Sequence, residues 1–124
     1  MSVKEIKLQT PLLINGVERE VLTYDAQELG IKHVAQAEAS KTKLSGSVST
    51  SLPNADYLLH ICLGMQAVMV LNPEISEQDL LRLKGFDVVQ LSLAGQSFFA
   101  PTALLQENNS EKPQEDMQNI TTAQ

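Results

Sequence analysis

The chain has no tryptophan, one cysteine (Cys62), two histidines, and five aromatic residues among its 124. With one cysteine there can be no internal disulfide and no thiolate-rich metal site, which points to a reducing compartment. A zinc site would need carboxylates gathered by folding, because His33 and His60 are the only imidazoles. The six glycines are scattered and form no phosphate-binding loop. Positive charge is also short: nine Lys plus Arg against fifteen Asp plus Glu give 9 − 15 = −6, a poor match to phosphate backbones or anionic lipid. Nucleic acid and membrane surfaces are therefore not expected partners. The N-terminus lacks the basic-then-apolar layout of a signal peptide. The longest apolar run, 57–71, is interrupted by His60, Gly64 and Gln66 and falls short of the ~20 residues that span a bilayer.

What is present is an aliphatic chain, 43% hydrophobic, long enough for one core and a tail. Residues 5–24 predict a β-hairpin turning at Asn15-Gly16, a dipeptide that tolerates the positive φ of a primed turn. Pro11 cannot donate to a strand ladder, so it belongs at an edge or a bend. Glu18 and Glu20 mark a wet face. Three helix starts share a capping box with a hydrophobic staple: Tyr24, Asp25, Glu28 and Leu29; Ile75, Ser76, Asp79 and Leu80; Phe86, Asp87, Gln90 and Leu91. The first predicts a helix over about 26–43, with Gly30 as an internal weak point and a thin apolar face of Leu29, Val34, Ala35 and Ala37. A Ser-rich connection follows over 44–52. The most hydrophobic helix, about 55–71, carries its small and polar residues Asp56, His60, Gly64 and Ala67 in one stripe, which marks it as central. Pro73 ends it. A short helix over 77–84 stops at Gly85, expected as a left-handed C-cap. The last helix covers about 88–99, with Val88, Leu91, Ala94 and Phe98 on one side. The expected fold is α+β, an N-terminal hairpin packed on about four helices over 1–100, followed by a disordered tail over 101–124.

Catalytic pairings are sparse. His60 and Cys62, two apart on a helix, point about 200° apart. Asp56 and His60, four apart, read as a solvent-facing salt link rather than a dyad, since no third group is visible for the histidine to act on. Cys62 reads as a small buried hydrophobe, and Asp79 and Asp87 as helix caps. No enzyme, cofactor or metal site is expected. Phe98 and Phe99 are about 100° apart on one helix and hard to bury together, which makes them the candidate partner-binding residues. The reading to set against this has both rings closing the core or contacting Leu104 and Leu105.

The order of short motifs resembles the tail assembly chaperones of tailed phages, notably the Mu-like group. The motifs are Ile-Lys-Leu-Gln-Thr-Pro (6–11), Ile-Asn-Gly-Val-Glu (14–18), Val-Leu-Thr-Tyr (21–24), Ala-Gln-Ala-Glu (35–38), Asn-Ala-Asp-Tyr (54–57) and Leu-Lys-Gly-Phe-Asp-Val-Val (83–89). The resemblance covers about residues 4–99 and leaves out the Ser-rich segment 45–51 and the Gln-rich tail. It implies a protein of a phage or prophage, working in the host cytoplasm and missing from the mature virion. Such a protein binds the long helical tape measure protein and keeps it soluble during tail tube assembly. The tail tube protein and a second copy of the chain are further candidate partners. The alternative within phage biology is a structural or connector subunit that stays in the tail. From another class, the alternative is a small enzyme using His60 with Asp56.

Overall fold

The computed structural model describes residues 3–46 and 56–100. Expectations for the rest of the Ser-rich connection and for the tail over 101–124 lie outside these residues. The order is β1 (Lys4–Ile14), β2 (Val17–Tyr24), a 3-10 turn (Ala26–Glu28), α1 (Ile31–Ser45), α2 (Tyr57–Met69), α3 (Glu77–Leu80) and α4 (Phe86–Gln96). The architecture is α+β, an antiparallel hairpin against four helices. Among the described residues no helix is long and apolar enough to cross a membrane.

Asn15 (φ 52°) and Gly16 (φ 80°) make the hairpin turn, as a primed turn requires. Glu18 and Glu20 face solvent. The register pairs Lys7 with Val21 and then Leu12 with Arg19, so four residues of β1 (8–11) oppose Glu20 alone. Pro11 lies in this bulge, where no ladder donor is needed. The even-numbered residues Ile6, Leu12, Ile14 and Leu22 turn inward and are buried.

The first helix differs from expectation. Asp25 caps only the 3-10 turn, accepting from the Gln27 amide at 3.0 Å. The chain is extended at Leu29 and Gly30, and α1 begins at Ile31. Gly30 is thus the N-cap of α1 rather than an interior defect, and its amide donates to His33 Nδ1 at 2.9 Å. The buried face of α1 is Ala37, Ser40 and Lys41, while Ala35 is exposed. The helix takes in Leu44 and Ser45 and ends at Gly46 with φ 79°.

Helix α2 is the centre, packed by α1, α4, the 3-10 turn and β2. It is shorter than 55–71: Asp56 caps it, accepting from the Leu59 amide at 3.1 Å, and its last residue is Met69. Beyond it, the Asn72 side-chain amide donates to the carbonyls of Val68 (2.8 Å) and Thr23 (3.0 Å), tying the helix end to β2. The Ser76/Asp79 box forms in both directions, at 2.9 and 3.1 Å. Helix α3 stops at Leu80 instead of Lys84. Gly85 does not cap it. With φ 64° and ψ −140° it opens α4 two residues earlier than Asp87 would.

Asp87 is consequently no N-cap. It sits 1% exposed and accepts from the amides of Gln9 (2.8 Å) and Thr10 (3.1 Å) in the β1 bulge and from Gln90 Nε2 (3.1 Å). One carboxylate thereby satisfies two amides that the irregular register leaves without ladder partners. Helix α4 ends at Gln96, and residues 97–100 continue in single turns.

Helices α2 and α4 touch backbone to backbone. A Cβ on Gly95 would collide with the His60 carbonyl and lie 2.6 Å from the Gly64 amide, and one on Gly64 would collide with the Leu91 carbonyl. The small stripe on α2 is therefore the seam that admits α4. Asp56 and His60, expected to face solvent, are 7% and 6% exposed.

Candidate partner-binding groove

An apolar opening lies between the helices, with a cavity of about 260 Å³. Helix α2 lines it with Leu58, Ile61 and Met65, a set at i, i+3 and i+7 that forms one face. The α3 segment adds Leu80, Leu81 and Leu83, α4 adds Val88 and Leu91, and Leu44 stands at the end of α1. No lining residue is charged. Leu44 and Leu81, 44% and 40% exposed, flank the mouth. An apolar opening of this kind can accept apolar side chains of a partner.

A second cleft of about 210 Å³ runs between the β1 bulge and the turn into α4, lined by Thr10, Pro11, Arg82 and Lys84 among others. Two of its charges, Arg82 and Asp87, already have work within the fold. Asp87 holds the bulge, and Arg82 donates to Asp79 (3.3 Å) and to the Leu13 carbonyl. Hydrogen bonds from the Ser76 amide and hydroxyl, with Arg82 alongside, hold the Asp79 carboxyl below its usual value despite burial.

The residues considered for chemistry are placed as follows. Lys41 Nζ lies 2.6 Å from Asp56 Oδ2 and 3.6 Å from Glu38. The hydrogen bond to Asp56 pushes the ammonium pKa up against the opposing effect of burial. Ser40 donates to Glu77 at 2.9 Å. Cys62 is buried, and desolvation pushes its thiol up to about 12, far from a nucleophile's range. His60 Nε2 is buried without a hydrogen-bond partner. Among the described residues no group of three or more His, Cys, Asp or Glu is placed to hold a metal ion.

Phe98 and Phe99 do not line the groove, which takes its α4 residues from the other end of that helix. Phe98 packs against the core, and Phe99 is 36% exposed. Their rings stand edge to face at 5.4 Å, and Phe99 also tilts over His60 at 5.5 Å. Sequence reasoning found these two rings and missed the groove. The i, i+3, i+7 set of Leu58, Ile61 and Met65 was the available signal, hidden because nearly every position of α2 is apolar.

Comparison with protein-family models, with curated proteins and with solved structures found no match.

Proposed function

We propose that the protein is a tail assembly chaperone of the tailed-phage type, acting in the host cytoplasm without catalysis. It binds an apolar helical segment of the tape measure protein and keeps that protein soluble until the tail tube covers it. The observation that carries this reading is the groove, which is lined without a charge on a chain of net charge −6. A partner recognised there must bring apolar surface, because charge has nothing to pair with inside it. The motif order over residues 4–99 supports the same reading. Several of the residues that make up those motifs have structural work: Asn15 and Gly16 form the hairpin turn, Asp56 caps α2, and Gly85 opens α4.

The mechanism is shielding. A long helical protein exposes an apolar stripe before assembly, and exposed stripes of this kind drive aggregation. Several copies spaced along one long partner gain avidity beyond any single contact. The deciding experiment is co-expression with the tape measure protein of the same phage, which should be insoluble alone and soluble in complex. Equal solubility without this chain, or no complex, refutes the assignment. Mass spectrometry of purified virions should find the chain missing; stoichiometric amounts there would make it a structural or connector subunit instead.

A further inference from the structure

Among the described residues, the only buried side-chain nitrogen or oxygen without a hydrogen-bond partner is His60 Nε2. A neutral imidazole carries one N–H and one lone pair, whereas the protonated ring carries two N–H groups and a charge. The His60 carbonyl abuts Gly95 across the α2–α4 seam, and the Phe99 ring lies over the imidazole at 5.5 Å. This cover is lightly held. Regular helix ends at Gln96, and the amides of Phe98, Phe99 and Ala100 make single-turn bonds to the carbonyls of Gly95, Gln96 and Ser97. Gln27 Nε2 ties the segment to the 3-10 turn through the Ser97 carbonyl at 3.0 Å, and Phe98 packs on the core. We propose that proton uptake by His60 releases residues 97–100 from α2, which makes this last turn an acid-sensitive cover over the helix seam.

The charged and titratable groups of the surrounding elements are engaged elsewhere. On α2, Asp56 is held by Lys41 and the Leu59 amide, and Cys62 is a buried thiol. From α1, Lys41 is paired with Asp56 and Glu38, and from α3, Glu77 accepts from Ser40. The 3-10 turn brings Asp25, which accepts from the Gln27 amide, and Glu28, which faces solvent. Strand β2 brings Glu18 and Glu20, both exposed, and Arg19, which is bound to Glu74. Helix α4 brings Asp87, near its other end and engaged by the β1 bulge. A second N–H and a charge on the enclosed ring are therefore strongly disfavoured, whereas lifting the Phe99 turn lets water reach them. The closed arrangement holds the neutral ring and the open one takes the proton. Closure is thus complete above the ordinary histidine value of about 6.5 and is lost as pH falls through and below it. An opening linked to one proton at that value grows about 30-fold between about pH 7.5 and about pH 5. The cover lies apart from the groove and does not depend on the chaperone reading.

Amide hydrogen exchange of the full chain tests this, read as protection factors so that the intrinsic pH dependence of exchange drops out. Protection at Phe98, Phe99 and Ala100 should fall about 30-fold from about pH 7.5 to about pH 5, while the amides of α2 keep theirs. The ring nitrogen shifts of His60, followed by NMR over the same range, should report proton uptake in step with that loss. His60→Leu should make protection over 97–100 independent of pH. His33→Gln, on α1, should leave the dependence as in the wild type. The wild-type ring shifts and protection factors decide the matter even where His60→Leu does not fold. The proposal fails if the ring takes up a proton while 97–100 stays protected, since Asp56 would then be receiving it inside the closed fold. It also fails if the ring stays neutral down to about pH 5, if the α2 amides lose protection in parallel, or if folded His60→Leu keeps the wild-type dependence.

Discussion

Lys41 and Asp56 lie 5% and 7% exposed with their charged atoms 2.6 Å apart, joining α1 to the first turn of α2. Removing one member of such a pair strands the other in low dielectric. Lys41→Met should therefore cost about 3 kcal/mol in urea unfolding, more than most core methyl deletions. Because the pair raises the Lys41 pKa above its usual 10.5, its contribution is complete below that pH. It should fade only as pH climbs through the raised value, so no loss is expected between pH 6 and 9 from this source. Cys62 adds a second alkaline effect. Its thiol titrates near 12 in the fold against an ordinary 9.0, so the unfolded chain releases a proton that the folded chain keeps. Stability should be full below pH 9.0 and fall between there and about 12, and Cys62→Ala should flatten that part of the profile. Thiol reagents should accordingly be slow on the native chain at pH 8 and fast in denaturant.

At the scale of elements, the sequence is transparent where local rules suffice and opaque where a distant segment decides. Asn15-Gly16 and the Ser76/Asp79 box involve residues three apart or fewer, and both form as expected. The other two capping boxes were misplaced by the neighbouring glycines. Gly30 adopts the extended conformation that starts α1 afresh, and Gly85, at φ 64°, opens α4 before Asp87 can cap it. Freed from capping, Asp87 turns to the amides of Gln9 and Thr10, 78 and 77 residues away in sequence, a role no local pattern announces. The groove is hidden for the same reason, since its lining is drawn from all four helices. Two substitutions test these elements. Asp87→Ala should cost about 2 kcal/mol by removing charge-assisted, part-buried hydrogen bonds to the Gln9 and Thr10 amides and should speed hydrogen exchange at Gln9 and Thr10 selectively. Gly95→Ala forces α2 and α4 apart, because its Cβ would collide with the His60 carbonyl, and should destabilise by about 3 kcal/mol, as severe overpacking does. The same change at Gly16 meets no atom within 4 Å and carries only the strain of its positive φ, about 1–2 kcal/mol.

Over the described residues, charge is concentrated on the hairpin, α1 and the α3 segment, and α2 and α4 are nearly free of it. The hairpin carries Lys4, Glu5, Lys7, Glu18, Arg19 and Glu20, whereas α2 has no charged residue and α4 has only Asp87. The six hairpin charges therefore stand on a different element from the apolar faces of α2 and α4. This division sets what the chaperone reading must satisfy. Leu44 and Leu81 flank the groove while remaining largely outside the core, so Leu44→Glu and Leu81→Glu should leave stability within about 0.5 kcal/mol of wild type. Each buries a charge at the mouth once a helix is bound, and each should weaken the complex with the tape measure protein at least about tenfold, or ~1.4 kcal/mol. Wild-type binding should be the same in 0.1 M and 1 M salt, where the screening length falls from about 10 to about 3 Å. Titrating a labelled segment of the tape measure with each chain by fluorescence anisotropy reads the affinities and their salt dependence, and urea unfolding reads the stability. Folded variants that bind as tightly as wild type would move the docking site away from the groove, and Phe99, exposed beyond the far end of α4, would be the next position to substitute.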